Sequence, residues 1–149
     1  NMARRLPELH LAVQYPGGKH GAPTRTQVRR WVRAVCTLPA AITIRFVDVN
    51  EGQNLNQQWR GKDYATNVLS FPYEHEPMLH GDLVICSSVV LREAAEQNKQ
   101  PEAHFAHLIV HGILHLQGFD HETSAADAAL METREREILR LLSYPDPYC

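Results

Sequence analysis

Cysteine is scarce in this chain: Cys36, Cys86 and Cys149 are the only three among 149 residues, far apart and without a CxxC pair. An odd and scattered set supports neither a disulfide framework nor a thiolate metal site, so these are expected to be core or surface thiols. Long apolar runs are missing too. Nothing approaches the ~20 residues of a membrane span, and the first residues hold no apolar signal core. The expectation is a cytoplasmic protein with no membrane partner. Repeats, low-complexity tracts and linkers are absent, which at this length gives one domain over residues 2–149, with enough chain to bury a real core. Asn1, ahead of Met2, has the look of an appended residue.

A strong overall charge is also lacking, since 15 Lys/Arg oppose 17 Asp/Glu for a net charge of −2. The two parts of the chain nevertheless differ. Residues 1–62 carry ten basic against three acidic side chains, and residues 63–149 carry five against fourteen. Arg25, Arg29, Arg30 and Arg33 fall in one predicted helix. Such a face can attract a polyanion even on a nearly neutral protein; the competing reading is an ordinary solvated helix face.

Leu9, Leu11 and Val13 alternate with other residues as in a half-buried strand, and residues 16–23, with three glycines between two prolines, read as a loop. Thr24 or Thr26 caps a helix whose Val28, Trp31, Val32 and Val35 form one apolar stripe. A second strand is predicted from Ala41 to Val49. A short helix capped by Asn50 then pairs Leu55 with Trp59 and delivers Arg60, Lys62 and Asp63 into a loop. Strands at Asn67–Tyr73 and Asp82–Cys86 follow, then a helix opened by Ser87 or Ser88 and another from Pro101 to Leu116. The last helix, begun by Thr123 or Ser124, has an amphipathic pattern running through Leu130, Met131, Arg134, Ile138, Leu141 and Leu142. Strands gather early and helices late, which predicts an α+β fold: a small mixed sheet of about four strands packed with helices, the histidine-bearing helix central.

That helix ends in the most informative stretch of the chain, His111-Gly112-Ile113-Leu114-His115-Leu116-Gln117-Gly118-Phe119-Asp120-His121. His111 and His115 are i and i+4, on one face and about 6 Å apart along the axis, so both imidazoles can reach one ion. Gly118 supplies a left-handed C-cap whose reversal can return His121 toward them. Three imidazoles and an open position describe a catalytic zinc site with one ion per chain rather than a closed structural one. Nickel and copper also suit imidazole. His107 lies one turn earlier, but His107 and His115 would be roughly 12 Å apart on a straight helix, against metal–nitrogen bonds of about 2 Å. His104 and His107 are therefore expected to be hydrogen-bonded helix histidines or groups that orient a ligand.

Metzincin-type peptidases share the HxxxHxxGxxH spacing and carry a glutamate general base directly after the first histidine. Here that position is Gly112, so peptide hydrolysis lacks its usual proton carrier. The glycine either opens room for substrate beside the metal or lets the helix pack closely.

The segment Trp59-Arg60-Gly61-Lys62-Asp63-Tyr64-Ala65-Thr66-Asn67-Val68-Leu69-Ser70-Phe71-Pro72, with the run from His111 to His121, Gly81-Asp82-Leu83-Val84-Ile85-Cys86 and Asp146-Pro147-Tyr148, resembles the YbeY family of bacterial single-strand-specific endoribonucleases. The resemblance implies zinc on His111, His115 and His121, a functional arginine at Arg60, and a cleft with the sheet as one wall. It also implies action on single-stranded RNA in the maturation of small-subunit ribosomal RNA and in ribosome quality control, with the ribosome or its proteins as further partners. Phe119 stands where tyrosine is common in that family, which removes one hydroxyl. In such a reaction zinc would lower the pKa of water toward about 7 and polarise a phosphoryl oxygen. Arg60 would meet the non-bridging oxygens with its planar fork, and Lys62 would be a weaker phosphate contact. The nucleophile is either that water or the RNA 2′-hydroxyl. Asp82 is expected to order water or a ligand histidine, or else to form a turn with Gly81; Asp120 and Glu122 flank a ligand. The competing functions are a zinc hydrolase of peptides or small molecules, and a non-catalytic RNA-binding ribosome-assembly factor with a structural metal.

Overall fold

The computed structural model describes residues 6–119 and 123–149. Among them the elements run β1 (Leu9–Gln14), α1 (Arg25–Val35), β2 (Ala40–Val47), α2 (Val49–Arg60), β3 (Val68–Glu74), β4 (Leu79–Cys86), α3 (Ser87–Glu96), α4 (Pro101–Leu116) and α5 (Ala125–Leu141). The strands form one sheet in the order β1-β2-β4-β3. β1, β2 and β4 are parallel, and β3 pairs antiparallel with β4 at the edge. The expected α+β architecture with a small mixed sheet is therefore present. No helix among the described residues is long and apolar enough to cross a membrane. Cys36 and Cys86 are buried thiols and Cys149 is exposed, none of them in a disulfide.

α1 begins with a reciprocal cap, in which the Gln27 N–H donates to Thr24 Oγ1 and the Thr24 N–H donates to Gln27 Oε1. Its predicted stripe of Val28, Trp31, Val32 and Val35 is buried in the main core. Three of its four arginines are committed to backbone carbonyls: Arg25 to Val13 at 3.1 Å, Arg30 to Leu142 at 3.1 Å and Arg33 to Pro7 at 2.5 Å. The basic face thus clamps the chain ends and β1 onto the helix.

Some boundaries differ from expectation for physical reasons. β2 stops at Val47 because Asp48, not Asn50, caps α2: its carboxylate takes the Glu51 N–H at 2.8 Å, an ionised acceptor at the positive helix end. β4 begins at Leu79, where it already pairs with Ala40 of β2, so Gly81 and Asp82 lie within a strand and form no turn. In α5, Leu130 and Leu141 are exposed; the inward face is Met131, Glu135, Ile138 and Leu139.

α4 matches its predicted span and lies on the sheet through two glycine contacts. A Cβ on Gly112 would stand 2.8 Å from Leu83 Cδ2 on β4, and a Cβ on Gly81 of β4 would stand 2.8 Å from Leu116 Cδ2 on α4. Gly112 therefore serves close helix–sheet packing, and the extra substrate room considered for that position is not created there. A glutamate at 112 would be driven into the sheet.

Gly112→Ala gains about 1 kcal/mol of helix propensity but must displace the fully buried Leu83, an overpacking cost of about 1–3 kcal/mol. A net loss of roughly 1 kcal/mol is expected. Adding Leu83→Ala should make the double variant more stable than the sum of the single effects in urea unfolding; strict additivity would refute the contact as the cause.

Candidate metal centre

α4 brings His107, His111 and His115 onto one stripe, one turn apart. The helix is opened by Pro101 at its first position and Glu102 in its first turn, both suited to a helix N-terminus. It is closed by Gly118, whose φ of 102° lies in the left-handed region. The Phe119 N–H reaches Leu114 O and the Gly118 N–H reaches His115 O, the paired bonds of a Schellman ending. This reversal also sets Phe119 O 3.0 Å from His115 Nδ1. The expected C-cap is thus in place, and the terminator of the helix orients one of its histidines.

His111 is oriented by α5. Its Nδ1–H donates to Glu135 Oε2 at 2.9 Å. The acceptors at His111 and His115 are a carboxylate and a carbonyl, which cannot donate, so in the neutral rings Nδ1 carries the proton and Nε2 is the nitrogen with the lone pair. Both rings therefore hold the tautomer that ligates through Nε2, with the hydrogen-bonded partner that metal-binding histidines ordinarily have. His107 has the opposite arrangement, donating Nε2–H to Glu135 Oε1 at 2.7 Å, while its buried Nδ1 has no hydrogen-bond partner among the described residues. It orients the carboxylate, in line with its expected supporting role. His104 is buried against Glu93 at 2.9 Å, with Asn67 holding the far side of that carboxylate. Burial lowers the His104 pKa, partly offset by Glu93.

Glu135 is the residue that sequence reasoning missed. Its side chain is 1% exposed and takes a third hydrogen bond, from Tyr148 Oη at 2.6 Å. Burial pushes its pKa up, but the hydrogen bonds from His107, His111 and Tyr148 outweigh burial and hold it at about 2. Burial and the same bond push the Tyr148 phenol well above its ordinary value. The available signal was a single carboxylate at the centre of the Met131–Ile138 apolar face, where an unpaired charge would be too costly to bury.

The other predicted site residues sit apart. Arg60 ends α2, is exposed, and donates to Asn56 Oδ1 at 3.3 Å. Lys62 is exposed in the following loop. No hydrogen bond or ion pair among the described residues joins either to a histidine of α4. Asp82 accepts from Tyr73 Oη at 3.0 Å across the β3–β4 pair, which excludes the turn reading. His121, with Asp120 and Glu122, lies outside the described residues, and among the described residues no three metal-ligating side chains converge. His111 and His115 nevertheless fit an imidazole-bound metal in tautomer and spacing.

The family model for "Endoribonuclease YbeY" matches residues 21–143. A protein of that name from Delftia acidovorans is 56% identical over 148 residues, covering 96% of this chain and 97% of the relative. Another, from Thiobacillus denitrificans, is 54% identical over 144 residues, covering 95% and 97%. Among solved structures, the solution structure of TM1509 from Thermotoga maritima superposes with a TM-score of 0.59 at 26% identity, covering 92% of this chain and 97% of that one.

Glu135→Ala would leave two ring N–H groups and a phenol without an acceptor. The expected loss is about 3 kcal/mol in denaturant unfolding of chelator-treated protein; a loss under about 1 kcal/mol would show that water replaces the carboxylate. Because the folded carboxyl lies below its unfolded value, its contribution is complete above about pH 4–5 and disappears as pH falls toward 2.

Proposed function

The chain belongs to the YbeY family of endoribonucleases, and from this premise we propose that it cuts single-stranded RNA, as a step in maturing small-subunit ribosomal RNA, at a zinc ion held by His111, His115 and His121. The observation that carries the reading is the matched hydrogen bonding of two α4 histidines, each fixed through Nδ1 by an acceptor, so that in each neutral ring Nε2 carries the lone pair. Support for the third ligand is that the backbone carbonyl of Phe119, two residues before His121 in the chain, is hydrogen-bonded to His115 Nδ1. When bound, the ion would supply an activated water and a Lewis acid for a phosphoryl oxygen.

The chain's own residues supply binding and charge. Phosphodiester attack builds negative charge on the non-bridging oxygens, and the planar guanidinium of Arg60 can meet two of them while Lys62 holds a neighbouring phosphate. His111 and His115 keep their rings aimed through Glu135 and the Phe119 carbonyl. A peptidase reading is disfavoured on steric grounds, since the residue after the first ligand faces Leu83 and not the histidine stripe. Work in the cytoplasm, with the ribosome or its proteins presenting the RNA, accords with such a substrate.

The test is cleavage of end-labelled single-stranded RNA by metal-quantified protein, beside identically prepared His115→Ala and Arg60→Glu. Wild type should cut, a chelator should stop it and zinc should restore it. Arg60→Glu should fall by at least roughly a hundredfold, and His115→Ala should be silent while still folded. Ends bearing 5′-phosphate and 3′-hydroxyl are expected from attack by water, whereas a cyclic phosphate would show attack by the 2′-hydroxyl. Equal cutting by all three proteins would mark a contaminating ribonuclease and defeat the reading.

A further inference from the structure

The surface aromatics are unevenly placed. Of the four exposed aromatic side chains among the described residues, Trp59, Tyr64 and Tyr73 fall between the end of α2 and β3, and only Tyr148 lies elsewhere. Trp59 is 62% exposed and Tyr64 54%, whereas Trp31 is fully buried. Single exposed aromatics are common and mean little. These two, however, stand in one segment with Arg60 and Lys62, and that segment is held rigid.

Its organiser is Asn56, fully buried in α2. The Asn56 side chain donates Nδ2–H to Tyr64 O at 2.7 Å and accepts from Arg60 Nη1 at 3.3 Å, while its backbone carbonyl takes the Lys62 N–H at 3.3 Å. Gly61, in the left-handed region at φ 71°, makes the turn between them. One buried residue therefore ties down residues 60 and 64 through its side chain and residue 62 through its backbone carbonyl. Trp59 is braced on one side by an edge-to-face contact with Phe71, at 5.9 Å and 72°. The loop's acidic residue, Asp63, accepts from Gln53 Nε2 at 2.8 Å. Tyr73 is set apart from this group, because its hydroxyl is bonded to Asp82 and Glu74 follows it.

We propose that segment 59–64 is a stacking platform for unpaired RNA bases, with Trp59 and Tyr64 taking base faces and Arg60 and Lys62 taking the adjoining phosphates. The inference rests on the endoribonuclease reading and gives its preference for single strands a physical source. Base faces are open to an aromatic ring only where the strand is unpaired, and a duplex offers this loop phosphates alone. Pre-ordering by Asn56 removes part of the entropy cost of arranging the side chains on binding.

The tryptophan pair provides the test, since Trp31 is inaccessible and any RNA-sensitive emission belongs to Trp59. In rapid-mixing titrations of the intact protein, read before cleavage, unpaired oligouridylate should quench that emission and a blunt duplex should not. Trp59→Ala and Tyr64→Ala should each weaken binding of the single strand about fivefold to a hundredfold. Their salt dependence should be unchanged, and Trp59→Phe should recover most of the affinity. Lys62→Gln should instead lower the slope of log affinity on log salt by about 0.7. A folded Trp59→Ala protein that binds unpaired RNA as tightly as wild type would sink the platform while leaving the endoribonuclease reading intact. Wild type that neither binds nor cuts RNA would remove both.

Discussion

The seam between α4 and β4 sets the position of everything else at the centre. Gly112 on the helix lies over Leu83, and Gly81 on the strand lies under Leu116, so the two elements meet where each in turn lacks a side chain. Gly112 and Leu116 are themselves one turn apart, which makes the contact a continuous stripe along the helix. His111 and His115 precede those residues by one position each, about a third of a turn around. Pressing the Gly112–Leu116 stripe into the sheet therefore fixes the direction in which the histidine stripe points. Because both glycine sites are closed by leucine methyl groups, the helix can neither roll nor slide without opening a void or forcing a clash.

A buried charge completes that arrangement from the other side. Glu135 enters the α5 face that packs on α4, and burying it is tolerable only because three donors from α4 and the C-terminal segment surround it. The donor from the C-terminal segment is itself secured: Arg136 stands 5.2 Å over the Tyr148 ring and binds Asp146, and Lys99 donates to Pro147 O. Removing the tail would therefore leave a donor missing at the carboxylate that aims His111. The family-like Asp146-Pro147-Tyr148 ending thus has a structural account in this chain.

Much of this was legible in the sequence where periodicity was strong. The stripe of α1, the full span of α4 and the reversal at Gly118 all follow from local pattern, and the structure contains them. The α5 face was misjudged because counting apolar residues placed Leu130 and Leu141 inside and left Glu135 out. Hydropathy carries no sign of a carboxylate whose donors lie 24 and 28 residues earlier and 13 later in the chain. Asn56 escaped for a different reason: its three partners are local, but nothing in the local pattern marks a polar side chain in α2 as buried. The strand order too is a matter of long-range pairing, and β4 was read short because Leu79 and His80 look like loop until paired with β2.

Glu135 also bears on how the proposed reaction handles protons. Among the described residues it is the carboxylate hydrogen-bonded to His111, a proposed ligand, and a group held at about 2 by three hydrogen bonds is a poor acceptor for a proton from water near neutral pH. Its work is orientation. The position that serves as base in peptidases of the same ligand spacing is closed here by Leu83. Among the described residues, neither of these two positions offers a general base, one because of hydrogen bonding and one because of packing. In the proposed reaction the difficulty is the negative charge that accumulates on the phosphoryl oxygens. That demand is met by cations, and the basic residues of the ordered loop after α2 can meet it, with Asn56 holding Arg60 in place before any substrate arrives.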